Sequence, residues 1–106
     1  MSAAQTPNPR RGEAGIAIRG EPHVLRPSFT ALVAAEDDLG PLFALVERAG
    51  SGQLRLGELA GLFWHCLADR GAITREDVGE AVLSAGLAAC ASPLRSLLSQ
   101  ILKGSG

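Results

Sequence analysis

The imidazole and thiol side chains that could serve as base and nucleophile are His23, His65, Cys66 and Cys90. A nucleophile needs a base, and the base needs a group to orient it. Neither histidine sits in a motif that supplies one. His65 and Cys66 are neighbours, but adjacent helical residues point about 100° apart, and no further donors cluster near them to complete a metal site. On a helix whose inner face is Leu56, Leu59, Ala60, Phe63 and Leu67, His65 falls on the opposite side, toward solvent. The reading is of a non-enzyme with no catalytic residues, no cofactor and no metal.

Two segments resemble calcium loops and fail on their ligands. From Glu47 to Glu58 the register places Gly52, Leu54 and Glu58 where an EF-hand has its glycine, its hydrophobic residue and its bidentate glutamate. The first position is Glu rather than Asp, however, and the third is Ala49. The stretch from Cys66 to Asp77, with Gly71 and Ile73, lacks the early oxygen ligands too. Both read as corners between helices, with Leu54 and Ile73 as packing pegs. Gly50-Ser51-Gly52 is no phosphate cradle, because no strand precedes it and no Gly-Lys follows.

Two features could bind a partner. Glu36, counted from Phe29, falls in the apolar face of Phe29, Leu32 and Val33. A carboxylate buried there needs a counter-charge, and Arg19 or Arg26 could supply it. Alternatively, Glu36, Asp37 and Asp38 form an acidic contact for basic residues of a partner. Trp64 flanks the inner stripe of its helix, with Leu62 on the other flank, and a Trp at such a boundary either packs or anchors an interface. Trp64, Leu62, Glu36, Asp37 and Asp38 are the candidate partner-binding residues.

The elements that position these residues follow from periodicity. Ala14, Ile16 and Ile18 recur at the strand period. Arg19-Gly20 turns the chain, and Val24 and Leu25 follow, giving a hairpin over 13–26. Pro22 is tolerated only at an edge or a strand start. Helices are expected at about 28–38, 41–49, 56–69, 75–85 and 92–103. Ser28 and Thr74 are N-caps, and Ser92-Pro93 reads as an N-cap followed by proline at the first helical position. The last helix carries Leu94, Leu97, Leu98, Ile101 and Leu102 as its buried stripe. The fold class is mainly α (α+β): an N-terminal β-hairpin followed by four to five short helices in a compact bundle. Residues 1–10 form a disordered tail, 11–103 one domain, and 104–106 a frayed end.

Composition narrows the function. The chain has 106 residues, 46% of them hydrophobic and 4% aromatic, so its core is built from aliphatic side chains. Ten basic residues offset eleven acidic ones, a net charge of −1, which lacks the electrostatic footprint of a nucleic-acid binder. No apolar run nears the roughly 18 residues of a membrane span. The N-terminus has no signal-peptide pattern, and Cys66 and Cys90 read as reduced, buried side chains. A cytoplasmic protein is expected, with no nucleic-acid or membrane partner.

An ordered series of segments then carries a resemblance. It comprises Asn8-Pro9-Arg10-Arg11-Gly12-Glu13, the Arg19-Gly20 turn, Leu25-Arg26-Pro27-Ser28-Phe29, and Ala34-Ala35-Glu36-Asp37-Asp38-Leu39-Gly40. Gly52-Gln53-Leu54-Arg55-Leu56 and Thr74-Arg75-Glu76-Asp77-Val78-Gly79 complete it. The series, running from about Asn8 to Leu102, resembles the small tail-assembly protein of alphaproteobacterial gene transfer agents and siphophage-like prophages. That family is labelled either tail tube protein or tail assembly chaperone. Arg19-Gly20 stands where Asp-Gly is more usual, and His23 where an aromatic is. The resemblance implies a hairpin followed by helices, and a chaperone that coats the apolar tape-measure protein during tail morphogenesis in the host cytoplasm. The alternative is a minor tail or tail-tube component that self-associates in the particle. The implied partners are the tape-measure protein, other tail proteins, or further copies of the same chain in a homo-oligomer.

Overall fold

The computed structural model describes residues 13–103; the expected tails at 1–10 and 104–106 lie outside the described residues. The chain opens with β1 (Ala14–Ile18) and β2 (Glu21–Leu25), antiparallel with Ala14 opposite Leu25 and Ile18 opposite Glu21. Arg19 and Gly20 join them at φ 55° and 79°, the pair of left-handed residues that a two-residue hairpin turn of matching twist requires. Ala14, Ile16 and Ile18 face the core, while Gly15 and Ala17 face outward. The outer edge of β2 is covered by residues 66–68. Ala68 donates its N–H to the Val24 carbonyl at 2.9 Å, Arg26 donates to the Cys66 carbonyl, and Leu25 bridges Leu67.

Five helices follow: α1 (Phe29–Leu39), α2 (Leu42–Gly50), α3 (Leu56–Cys66), α4 (Arg75–Ala85) and α5 (Leu87–Lys103). Hairpin plus helices is the expected class. Ser28 caps α1, its Oγ accepting from the Ala31 N–H at 3.1 Å. Thr74 and Asp77 form a reciprocal box at the start of α4: the Thr74 Oγ accepts from Asp77 at 3.1 Å, and the Asp77 carboxylate from Thr74 at 3.0 Å. Each bond satisfies an amide with no partner inside its helix.

The third helix is the hub of the core. Leu59, Ala60, Leu62, Phe63 and Cys66 are all buried, and α1 and α4 pack on its flanks. Ile18, Leu25, Val78, Val82 and Leu97 close around it. At about 1.5–3 kcal/mol for each large side chain removed from water, this cluster is the main source of stability. Leu54 and Ile73 pack against it as the corner pegs they were expected to be.

Several boundaries and faces differ from the sequence reading. The third helix ends at Cys66 rather than 69, because Leu67 leaves it to pair with the sheet. The fifth begins at Leu87 rather than 92. Gly86, at φ 91°, ends α4 by donating to the Val82 carbonyl, and its own carbonyl accepts from Ala89 and Cys90 to start the next helix. Pro93 therefore lies inside α5. Phe29 and Leu56, expected on inner faces, are 84% and 43% exposed. Of the expected α5 stripe only Leu97 is fully buried, while Leu102 is 58% exposed. No single helix among the described residues is long and apolar enough to cross a membrane; α4 and α5 together are, but they meet at 119°.

Candidate functional site

The sequence candidates do not form one surface. Leu62 is 2% exposed, wedged in the core, because α3 is surrounded and has no free flank. Glu36 is exposed rather than buried, and its Oε2 accepts from the Leu42 N–H at 3.1 Å, capping α2. The arginines expected to neutralise it are engaged elsewhere, Arg19 with Asp77 and Arg26 with Glu13, each at 2.7 Å. Asp37 lies on the surface.

Asp38 and Trp64 instead belong to one polar corner where α1, α3 and α4 meet. Trp64 is half-buried and donates its indole N–H to the Ile73 carbonyl at 2.9 Å. The Arg70 guanidinium lies 4.3 Å from its ring centre and that of Arg75 lies 5.3 Å away, within cation–π range. His65 meets the indole edge-on at 4.9 Å. Contrary to the solvent-facing position expected of it, the His65 side chain is 8% exposed. Its Nε2 lies 2.9 Å from Asp38 Oδ2 and 3.1 Å from Arg75, its Nδ1 has no partner among the described residues, and Arg75 pairs with Asp38 as well. Burial first, and the charge of Arg70 second, hold the imidazole pKa below its ordinary value. The corner is a structural lock whose side-chain polar groups, His65 Nδ1 excepted, are engaged within it.

The open surface lies between α2 and α5. A cavity of about 220 Å³ bounded by Leu54, Leu56, Leu87 and Leu94 adjoins one of about 360 Å³ bounded by Val46, Leu98 and Leu102. Ala49, Ala91 and Leu94 line both, so the two make one trough. Its walls are aliphatic apart from Cys90 at one end and Arg95 at the other. Phe43, 81% exposed, stands one turn before Val46 and continues the α2 wall at helical spacing. That wall is set by its ends: Glu36 holds the first turn, and Arg48 pairs with Glu58 of α3 at the last.

The sequence reading missed this trough, although a signal for it exists. Leu87, Ala91, Leu94, Leu98 and Leu102 recur at steps of three and four, while Cys90 and Leu97 occupy a second stripe. Two apolar stripes on one helix exceed what a single core contact can cover. The buried one carries Cys90 and Leu97; the other lines the trough.

The described residues thus combine a helical bundle, a short hairpin, an interlocked polar corner and an open apolar trough. Residues 11–104 match the family described as "phage tail tube protein, GTA-gp10". The chain belongs to this family of gene transfer agent and phage tail proteins. Comparison with curated proteins gives no match, and neither does comparison with solved structures.

Proposed function

We propose that the chain is a non-enzymatic tail assembly chaperone that holds the tape-measure protein in the host cytoplasm until the tail tube forms around it. The observation that carries this reading is the aliphatic trough between α2 and α5. An apolar helix of a client lays one face into such a groove and reads it through side chains at helical spacing. Phe43, Leu94, Leu98 and Leu102 are the residues positioned to receive it. A tube subunit builds a lumen from a large sheet, whereas the described residues contain two strands of five residues each.

Co-expression with the tape-measure protein of the same gene cluster, followed by pull-down and size-exclusion chromatography, tests the reading. A soluble complex is expected, lost with Leu98→Asp or weakened with Phe43→Ala while the helical circular dichroism is unchanged. A complex indifferent to both variants would place the client elsewhere. The family description itself favours a second reading, a structural tail component. In that case the protein remains in purified particles, where a chaperone is absent.

A further inference from the structure

A separate cavity, of about 340 Å³, opens where the start of α1 meets the chain leaving α3. Its charged lining is all of one sign. Arg26 and Arg70 supply cations, Ser28 and Thr30 supply hydroxyls, and no Asp or Glu borders it among the described residues. The first turn of α1, an eleven-residue helix, also opens onto it through Thr30 and Ala31. The Ser28 hydroxyl satisfies the Ala31 amide at 3.1 Å, whereas the Phe29 and Thr30 amides have no partner among the described residues. Such amides form the positive end of the helix dipole and favour an anion. His65 belongs to the same wall. Its side chain is only 8% exposed, yet its Nδ1 has no partner among the described residues. A buried nitrogen of this kind is costly unless a group that the chain does not supply satisfies it.

Charge limits what the cavity can take. Arg26 donates its Nε to Glu13 at 2.7 Å, and Arg75 is paired with Asp38, so both of those cations are offset. Arg70 stacks on Trp64 and makes no ion pair among the described residues. Asp69, beside it in sequence, does not line the cavity and makes no ion pair either. The charge of Arg70 reaches His65, where it helps to hold the imidazole pKa down. One uncompensated cation and a helix end worth about half a charge balance a monoanion. They fall short of a phosphate ester, which carries about two charges at neutral pH. The remaining lining is small and aliphatic, from Ala31, Ala34, Leu67 and Ala68. A hydrocarbon stem gains from that surface, and a hydrated phosphate does not.

We infer that this cavity binds an aliphatic carboxylate. Its oxygens accept from the Arg70 guanidinium, the Thr30 hydroxyl and the unpartnered amides at the start of α1, and its stem lies against Ala34, Leu67 and Ala68. The terminal N–H groups of Arg26, which Glu13 leaves unused, are further donors facing the same space. Hydrogen bonds between charged groups are the strong ones, and a guanidinium suits the two oxygens of a carboxylate. A free short-chain acid and the carboxylate that ends a polypeptide both offer this chemistry. The inference does not rest on client binding, since the trough lies on α2 and α5.

Titration of the full chain with butyrate at constant ionic strength, followed by amide chemical shifts, tests it. Saturable shifts are expected at Phe29, Thr30, Ala68 and Arg70, with none at Val46 or Leu98. Arg70→Gln changes an exposed residue and should weaken binding about tenfold. Thr30→Val should weaken it about threefold, and the helical circular dichroism of both variants should match the wild type. Acetyl-Ala-Leu with a free C-terminus separates the two sources. Tighter binding than butyrate assigns the cavity to the end of a polypeptide, and binding no tighter assigns it to a free acid. The same dipeptide with an amidated C-terminus should not bind, and equal affinity for it would overturn the inference. So would the lack of saturation by either carboxylate, shifts that chloride reproduces, tighter binding of inorganic phosphate than of butyrate, or an Arg70→Gln variant that binds as the wild type does.

Discussion

His65 couples the polar corner to pH. Its pKa is lowered from 6.5 by burial and by Arg70, so the folded imidazole stays neutral where the unfolded one takes up a proton. Just below that value the unfolded state binds more protons, and stability must fall as pH falls. The denaturation midpoint in urea should drop between about pH 7 and 5.5, and His65→Gln should flatten that drop. A wild-type midpoint constant across this range would contradict the assignment. Glu58 and Asp77 act lower on the scale. Amide hydrogen bonds, from Arg55 and Thr74 respectively, are the first cause holding their pKa values below 4.5 and 3.8. Their contribution is present above those values and is lost on further acidification. Cys66 is different again, with burial pushing its thiol up to about 12. It should resist thiol reagents in the native state and react promptly once denatured; fast native labelling would show that α3 opens.

At the scale of elements, α5 makes the sharpest prediction. Pro93 lies in the second turn of a continuous helix, where it withholds a hydrogen bond from the Ala89 carbonyl. Pro93→Ala should restore that bond and stabilise the fold by about 1–3 kcal/mol in urea denaturation. A neutral or destabilising result would mean that the helix begins near Ser92. The same element shows what the sequence could express. Alternation at Ala14, Ile16 and Ile18 and the Thr74 box made the hairpin and α4 legible, because each depends on neighbouring residues. Ser92-Pro93 misled because a local start signal was overridden by the single-glycine turn at Gly86, whose effect depends on where α4 has already packed. Leu62 and His65 misled for a related reason. On a helix buried nearly all round, no apolar stripe marks the side that faces water.

For the molecule as a whole, the two stripes of α5 should separate stability from binding. Leu97→Ala empties a fully buried position and should cost about 2–5 kcal/mol, seen as a lower denaturation midpoint. Leu98→Ala, on the trough, should cost well under half of that and act mainly on client affinity. Equal losses would mean that the trough is closed in solution. The polar corner also decides how such experiments can be watched. Trp64 is the chain's sole tryptophan, and there is no tyrosine. It is clamped beneath two guanidinium groups and lines neither cavity of the trough. Intrinsic fluorescence therefore reports the meeting point of α1, α3 and α4 and nothing else. A partner seated between α2 and α5 leaves the emission unchanged, so an optical titration that looks blank is compatible with tight binding. A spectral shift would place the partner at the polar corner instead of the trough.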